Sequence, residues 1–370
     1  MNARAAIACL ALIALGGLSR AFAAPSGPGQ SQTVLLTSDF VSSARIALLN
    51  DGRLVISEVG AVGVDGTLTF DGALLGILPN GSTYPVTTGM LNPQGVVRDA
   101  DGALFIADAG PRSETNDGDG VIWRAAGDGS PAVLFVGNYT GGGPLSSPGG
   151  LLPHPSDPTR VLVAEKSGTP PLLPIDDGGI LSFGRDDASV AVYFDDGVGG
   201  LSDTTDLASA PGGGVLASDI EYGEITRVTP PATRVDVSSG LSESARVVVS
   251  PAGKIYAREY SAPALYRLGP GGVPAPFITV SSPGSAILDA VVEHETSIIV
   301  LVSGPEKGVY RVLTCPPDVA PPFGVLDLMD VNAFVIGFLV MSPDTDLNHD
   351  GLHDLVDVNL FIQSFLGGCP

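Results

Sequence analysis

The chain has 370 residues and a formal charge of −22, with 40 acidic against 18 basic side chains. Such an excess repels a phosphate backbone and excludes nucleic acid as a partner. Hydrophobic residues at 44% exclude disorder, and 49 glycines with 31 prolines against 6% aromatics describe a folded chain broken by many turns.

Residues 1–23 read as a secretory signal: Arg4 in a basic n-region, the apolar run 5-AAIACLALIALGGL-18, then an Ala21-Phe22-Ala23 cleavage site. The run is too short to span a bilayer, and no later stretch approaches the ~20 apolar residues a span needs. Cys9 lies inside the run rather than at its end, which argues against a lipoprotein. Cleavage removes Arg4 and Arg20, taking the charge from −22 to −24. The mature protein is expected to be secreted, and its remaining cysteines, Cys315 and Cys369, are a natural disulfide pair in an oxidising compartment.

From residue 31 to 314 the sequence recurs with a period of roughly 40–58 residues. Each unit opens with an apolar strand and turn, as in 95-GVVRDADG-102 and 247-VVVSPAG-253. A second strand is read as ending in a small residue and an acid: 54-LVISE-58, 104-LFIAD-108, 161-VLVAE-165, 215-VLASD-219 and 255-IYARE-259. A third often carries arginine (121-VIWRA-125, 309-VYRVL-313), and a Gly/Pro turn leads to a fourth (133-VLFVG-137, 190-VAVYF-194). Short, β-branched, turn-bounded runs are strands. Of six units the last lacks its fourth strand, whereas 31-SQTVLLTSDF-40 resembles a fourth strand without a unit. A ring in which the N-terminal strand completes the last blade resolves both facts and removes exposed sheet edges. The expected fold is all-β: a six-bladed β-propeller followed by a small α-helical, calcium-binding domain.

Segments such as 100-ADGALFIADAG-110 resemble the NHL and gluconolactonase/regucalcin-like superfamily of six-bladed propellers. The resemblance covers the repeat region and is specific for architecture, not for activity. It implies a divalent metal held by acid and amide side chains at the channel entrance. The first-strand entrances here carry Arg45, Gln94, Asp206, Arg246 and Asp289, which does not reproduce that family's Glu/Asn/Asn/Asp set. Asp206 and Asp289 are the catalytic candidates. The acids Glu58, Asp108, Glu165, Asp219 and Glu259, with Ser303 in the sixth unit, recur at one repeat position. They either line a mouth as a ligand-binding ring or accept backbone N–H bonds at their own turns, and the repetition favours the second. Four histidines (His154, His294, His349, His353) leave no credible zinc cluster, and there is no G-x-S-x-G elbow or Gly-Lys phosphate loop.

Residues 315–370 contain a duplication. The segment 327-DLMDVNAFVIGFL-339 matches 354-DLVDVNLFIQSFL-366 at eight of thirteen positions, and each predicts a helix with apolar residues at helical spacing (Val331, Phe334, Val335, Phe338; Val358, Phe361, Ile362, Phe365). The loop 346-DLNHDGLHDLVD-357 has calcium spacing: Asp346, Asn348 and Asp350 as side-chain donors, Gly351 at the turn, the Leu352 carbonyl, then Asp354 and the closing Asp357. His349 and His353 take non-ligand, exposed positions. The first loop is degenerate, with Asp318, Gly324, Asp327 and Asp330 matching Asp346, Gly351, Asp354 and Asp357 across one inserted residue. Either it binds calcium weakly or packing by Phe323 and the prolines replaces the ion.

Two loop–helix units with Asp at the twelfth position resemble a dockerin, and the flanking cysteines with the Ala-Pro-Pro-Phe-Gly loop resemble the bacterial GC-type. The resemblance implies Ca²⁺-dependent docking onto a cohesin-like partner, at a cell surface or in a complex, through positions matching Leu328, Met329, Leu355 and Val356. These four either face that partner or pack in the core. The functional expectation is a secreted module whose propeller binds a carbohydrate or small molecule and whose tail attaches it. The alternative is a propeller hydrolase, lactonase-like or polysaccharide-degrading, carried by the same tail. A metal site in the channel favours the alternative.

Overall fold

A computed structural model describes residues 24–27, 31–60, 69–110, 119–166, 178–194, 201–230, 233–238, 240–260, 262–315, 317–320, 326–342, 345–347 and 352–368. The signal segment 1–23 lies outside them, as do Asn348, Asp350, Gly351 and Cys369. No helix among the described residues is long and apolar enough to cross a membrane.

The chain begins with β1 (Gln32–Thr37). Blade 1 follows as β2 (Ser43–Leu48), β3 (Leu54–Glu58), β4 (Gly72–Ile77) and β5 (Thr83–Met90). Blade 2 is β6 (Pro93–Arg98), β7 (Leu104–Asp108), β8 (Val121–Ala125) and β9 (Val133–Gly137). Blade 3 is β10 (Pro148–Pro153), β11 (Arg160–Glu165), β12 (Gly179–Gly184) and β13 (Val190–Phe194). Blade 4 is β14 (Thr204–Ser209), β15 (Val215–Asp219), β16 (Glu224–Thr229) and β17 (Thr233–Ser238). Blade 5 is β18 (Ser244–Val249), β19 (Ile255–Glu259), β20 (Ala264–Leu268) and β21 (Pro274–Thr279). Blade 6 has β22 (Ala286–His294), β23 (Ser297–Ser303) and β24 (Gly308–Leu313), and its outer strand is β1, antiparallel to β24 with Gln32 opposite Leu313.

Every sheet is four-stranded and antiparallel, and in blades 1–5 the strands pair in chain order. Apolar cores lie between neighbouring blades. Phe105 and Ile122 of blade 2 pack with Val163 and Phe183 of blade 3. Ile46 and Ile56 of blade 1 pack with Ile299, Leu301 and Val309 of blade 6, which closes the ring by burial as well as by hydrogen bonds. The N-terminal closure expected from the orphan strand is therefore observed.

Two helices follow, α1 (Leu328–Leu339) and α2 (Leu355–Gly367). Each begins with a capping box: Asp327 accepts from Met329 N while Asp330 reaches back to Asp327 N, and Asp354 with Asp357 repeats the arrangement. Phe334 and Phe361 stack with centroids 4.1 Å apart and, with Leu347, form a small buried core. The apolar stripe is narrower than expected. Val331, Phe334 and Phe338 face this core with Val358, Phe361 and Phe365, whereas Val335 and Ile362 are exposed.

Candidate functional site: the central channel

The repeated acids have a structural task. Each stands opposite the first residue of its inner strand: Glu58 opposite Ser43, Asp108 opposite Pro93, Glu165 opposite Pro148, Asp219 opposite Thr204 and Glu259 opposite Ser244. Each accepts N–H bonds from the segment entering that strand, namely Val41 to Glu58 (2.6 Å), Leu91 and Asn92 to Asp108 (2.8 and 3.0 Å), Ser147 to Glu165 (2.6 Å), Ser202 to Asp219 (2.8 Å) and Ser242 to Glu259 (2.7 Å). Asp108 also receives Trp123 Nε1 (3.1 Å) and the Tyr139 hydroxyl (2.5 Å). Burial, with the adjacent Asp108 carboxylate, holds that phenol protonated far above its ordinary range. In blade 6 the role passes from Ser303 to Glu306, a buried side chain that accepts from Ser282 N at 2.9 Å. The acids clamp the linkers between blades. The sequence pattern missed Glu306 because it lies three residues beyond the repeat position.

The channel charges lie one step further along the inner strands, where all six blades carry a bulge: at Ser43/Arg45, Pro93/Val96, Pro148/Leu151, Thr204/Asp206, Ser244/Arg246 and Ile287/Asp289. A bulge turns the residue after it out of the normal alternation. In blades 1, 4, 5 and 6 that residue is Arg45, Asp206, Arg246 and Asp289. In blades 2 and 3 the bulge itself contains glycine, Gly95 and Gly149–Gly150. A Cβ on Gly150 would stand 2.1 Å from Asp206 Oδ1, and one on Gly149 2.4 Å from Thr205 O, so a side chain at either position would collide with the charge layer.

The four charges neutralise one another. Arg45 Nη1 lies 3.3 Å from Asp206 Oδ1 and Nη2 donates to Thr205 O at 2.9 Å. Blades 1 and 4 are opposite in a ring of six, so this pair spans the channel. Arg246 Nε approaches Asp289 Oδ1 at 3.4 Å. Asp289 Oδ2 accepts from Ile46 N (3.0 Å) and Asp206 Oδ2 from Val247 N (3.3 Å), tying blade 6 to 1 and blade 4 to 5. Desolvation raises the Asp206 carboxyl despite the pull of Arg45 and Arg246. Desolvation and the neighbouring Arg45 push Arg246 down to about 9. Arg258, cross-strand from Arg246, is pushed down to about 10 by desolvation. Its Nε donates to Ile287 O at 2.7 Å. Arg258 was not singled out from the sequence, although the repeat marks it: the corresponding residues are Ser57, Ala107, Ala164 and Ser218. Gln94, the remaining entrance residue, bonds the Asn92 side chain at 2.8 Å.

Against this layer opens a cavity of about 760 Å³, lined by Arg45, Asp206 and Asp289 and by Ala47, Val96, Leu152, Val248 and Val291 of the inner strands. Residues 61–68, 111–118, 167–177 and 195–200 lie outside the described residues. Among the described residues no group of three or more His, Cys, Asp or Glu is placed to hold a metal ion.

In the tail, Asp330 and Asp357 are fully buried and hold matching bonds. Ala320 N donates to Asp330 Oδ1 (2.9 Å) as Leu347 N does to Asp357 Oδ1 (2.7 Å), and Asp327 N and Asp354 N fill the second oxygens. The copies are thus in register at an offset of 27 residues without the expected insertion. Val319, not Asp318, stands opposite Asp346, and it packs against the small core. Asp346 is buried, the Leu352 side chain is exposed, and Asp354 Oδ1 accepts from Val356 N at 2.7 Å. Leu328, Met329, Leu355 and Val356 are exposed rather than packed. His353, expected in solvent, is half-buried with Nε2 2.7 Å from Ser342 O and its ring edge-on to Phe338. Cys315 is buried, while Cys369 lies outside the described residues.

No family model and no curated protein matches the chain. Solved structures do. A gluconolactonase of Xanthomonas campestris superposes with TM-score 0.54 at 16% identity, covering 79% of this chain and 94% of that one. A structural-genomics protein provisionally assigned as a gluconolactonase gives 0.54 at 14%, covering 78% and 93%. A virginiamycin B lyase from Staphylococcus aureus gives 0.50 at 12%, covering 77% and 99%. The class is therefore a six-bladed β-propeller with two C-terminal helices. Its structural neighbours are propellers of the gluconolactonase type, and identities this low establish the fold alone.

Proposed function

We propose that this chain is a secreted modular protein whose propeller holds a carbohydrate or small-molecule ligand and whose dockerin-like tail attaches it to a cohesin-type partner. The observation that carries this reading is the pairing of Asp206 with Arg45 and of Asp289 with Arg246. A carboxylate held by a buried guanidinium is a poor general base or free metal ligand, so the two catalytic candidates act as structure. Exposure of Leu328, Met329, Leu355 and Val356 supports a partner surface on the tail. Calcium fits the chemistry of the second loop, whose donors Asp346, Asp354 and Asp357 are hard carboxylate oxygens. A Cys315–Cys369 bridge would close the tail, and Val319 at the first ligand position supports packing in place of an ion in the first loop.

The comparisons give more weight to the second reading, a lactonase-like or polysaccharide-degrading hydrolase, because two neighbours are described as gluconolactonases. Assaying the mature protein on sugar lactones and polysaccharides, with and without added divalent cation, separates the two. The binding reading expects no turnover above the buffer rate. Cation-dependent turnover abolished by chelator replaces it with the hydrolase.

A further inference from the structure

The channel cavity, about 760 Å³, falls in the size range of small-molecule sites. Its charged lining is Arg45, Asp206 and Asp289, and each of these side chains already has partners within the protein. Asp206 Oδ1 faces Arg45 Nη1 at 3.3 Å, and its Oδ2 accepts from Val247 N at 3.3 Å. Asp289 Oδ1 accepts from Ala290 N at 2.9 Å and its Oδ2 from Ile46 N at 3.0 Å. Arg45 Nη2 is engaged by Thr205 O at 2.9 Å. An anion entering here would meet two carboxylates, and a cation would have to compete with Arg45 and the backbone for the same oxygens.

The rest of the lining is aliphatic or small. Ala47, Val96, Leu152, Ala208, Val248 and Val291 come one from each of the six inner strands, and the turns 209–212 and 250–253 of blades 4 and 5 complete it. None of the described residues lining the cavity is aromatic, so a sugar has no flat ring on which to pack its C–H face. Apolar surface gathered in a concave site gains by exchanging water for an aliphatic chain. We propose that this cavity binds a small, neutral aliphatic molecule, its chain against the six inner strands. A neutral head such as a hydroxyl can both donate and accept, so it can sit at the charge layer without breaking the Arg45–Asp206 pair. This narrows the ligand of the binding module proposed above to an aliphatic small molecule rather than a carbohydrate, and it rests on that reading.

Calorimetric titration of the full-length mature protein with the 1-alkanols from butanol to octanol, and with hexanoate and hexylammonium, tests chain and charge separately. One-to-one binding of the alcohols is expected, tightening about three- to fourfold with each methylene until the chain outgrows the cavity. Both ions should bind at least tenfold more weakly than 1-hexanol. Ala47→Leu and Ala208→Leu fill the cavity and should each weaken 1-octanol at least tenfold. Val133→Ala, on the exposed outer strand of blade 2, should leave it unchanged. Should the filled variants fold poorly, 6-bromo-1-hexanol soaked into crystals of the unaltered protein is expected to give an anomalous bromine peak in the cavity. The tail also exposes apolar side chains, Leu339 and Leu366 among them. A bromine peak only there, or octanol affinity unmoved by both filled variants, overturns the site. Tighter binding of either ion than of 1-hexanol overturns the neutral assignment. Binding of a sugar with no binding of any alcohol overturns this inference and leaves the ligand module standing.

Discussion

The propeller and the tail bury carboxylates in the same manner and surround them differently. Asp108, Glu165, Asp219 and Glu306 in the propeller, like Asp330 and Asp357 in the tail, accept backbone N–H groups that would otherwise be stranded. Around the propeller acids lie inter-blade cores such as the one joining blades 5 and 6, with eleven buried members from Tyr256 to Val312. The described tail core has three: Phe334, Leu347 and Phe361. Even with six half-buried apolar neighbours, that is a small described cluster to set against the entropy of ordering the tail. Stability in the propeller is spread over six interfaces, whereas on the proposed reading the tail would depend on loop ligation and covalent closure.

The sharpest break in that comparison comes from removing the calcium ion proposed for the second loop. With the ion bound, chelation or Asp357→Ala is expected to abolish the tail's helical order and leave propeller melting unchanged, read by hydrogen exchange resolved along the chain. Metal-dependent small domains commonly unfold outright without their ion. A tail equally protected in calcium and in chelator would refute the metal assignment. Next in size, Asp108→Ala strands the N–H groups of Leu91, Asn92 and Gly110 and the Tyr139 hydroxyl, and leaves the Trp123 indole with Tyr139 alone. It should cost about 3–5 kcal/mol in denaturant melts, and Asp108→Asn, which keeps one acceptor, should cost less. A loss below about 1 kcal/mol would mean that water replaces the clamp.

How much of this was visible in the sequence differs between the two regions for a physical reason. The ring, its strands and its closure by β1 were readable because alternation and turn residues repeat with each blade. That the strand-end acids are clamps was foreshadowed by their repetition. The channel layer was not readable as a unit. Arg45, Asp206, Arg246 and Asp289 were each recognised as polar entrance residues, but their pairing depends on six bulges and on blades 1 and 4 being opposite, neither of which local patterning encodes. Arg258 and Glu306 broke the repeat, and those breaks were the available signal. In the tail the duplication was plain, yet its register needed the bonds from Ala320 and Leu347 to show that no residue is inserted.

The smallest expected effect tests the clamp idea by contrast, at two neighbouring acids of blade 4. Asp219 has both oxygens occupied, by Ser202 N and Asp203 N on one and Glu221 N and Tyr222 N on the other. Asp203 has Oδ1 buried without an acceptor role, and among the described residues its cationic neighbour is Lys166 Nζ at 3.7 Å. Desolvation, with Lys166 opposing it and the Asp219 and Glu221 charges adding to it, raises the Asp203 carboxyl from 3.8 to about 6. An acid raised on folding binds more protons in the native state than in the unfolded chain between those two values, so stability falls as pH rises through that window. Above pH 6 the charged carboxylate carries the full cost. Asp203→Asn should therefore stabilise the propeller at pH 7 by about 1–2 kcal/mol, allowing for partial solvent screening, and the advantage should vanish below about pH 4. Asp219→Asn should instead destabilise at neutral pH, because its carboxylate is matched to four N–H donors. If the Asp203→Asn difference is flat with pH, the native carboxyl is not raised, and the two acids do not differ in the way their partners imply.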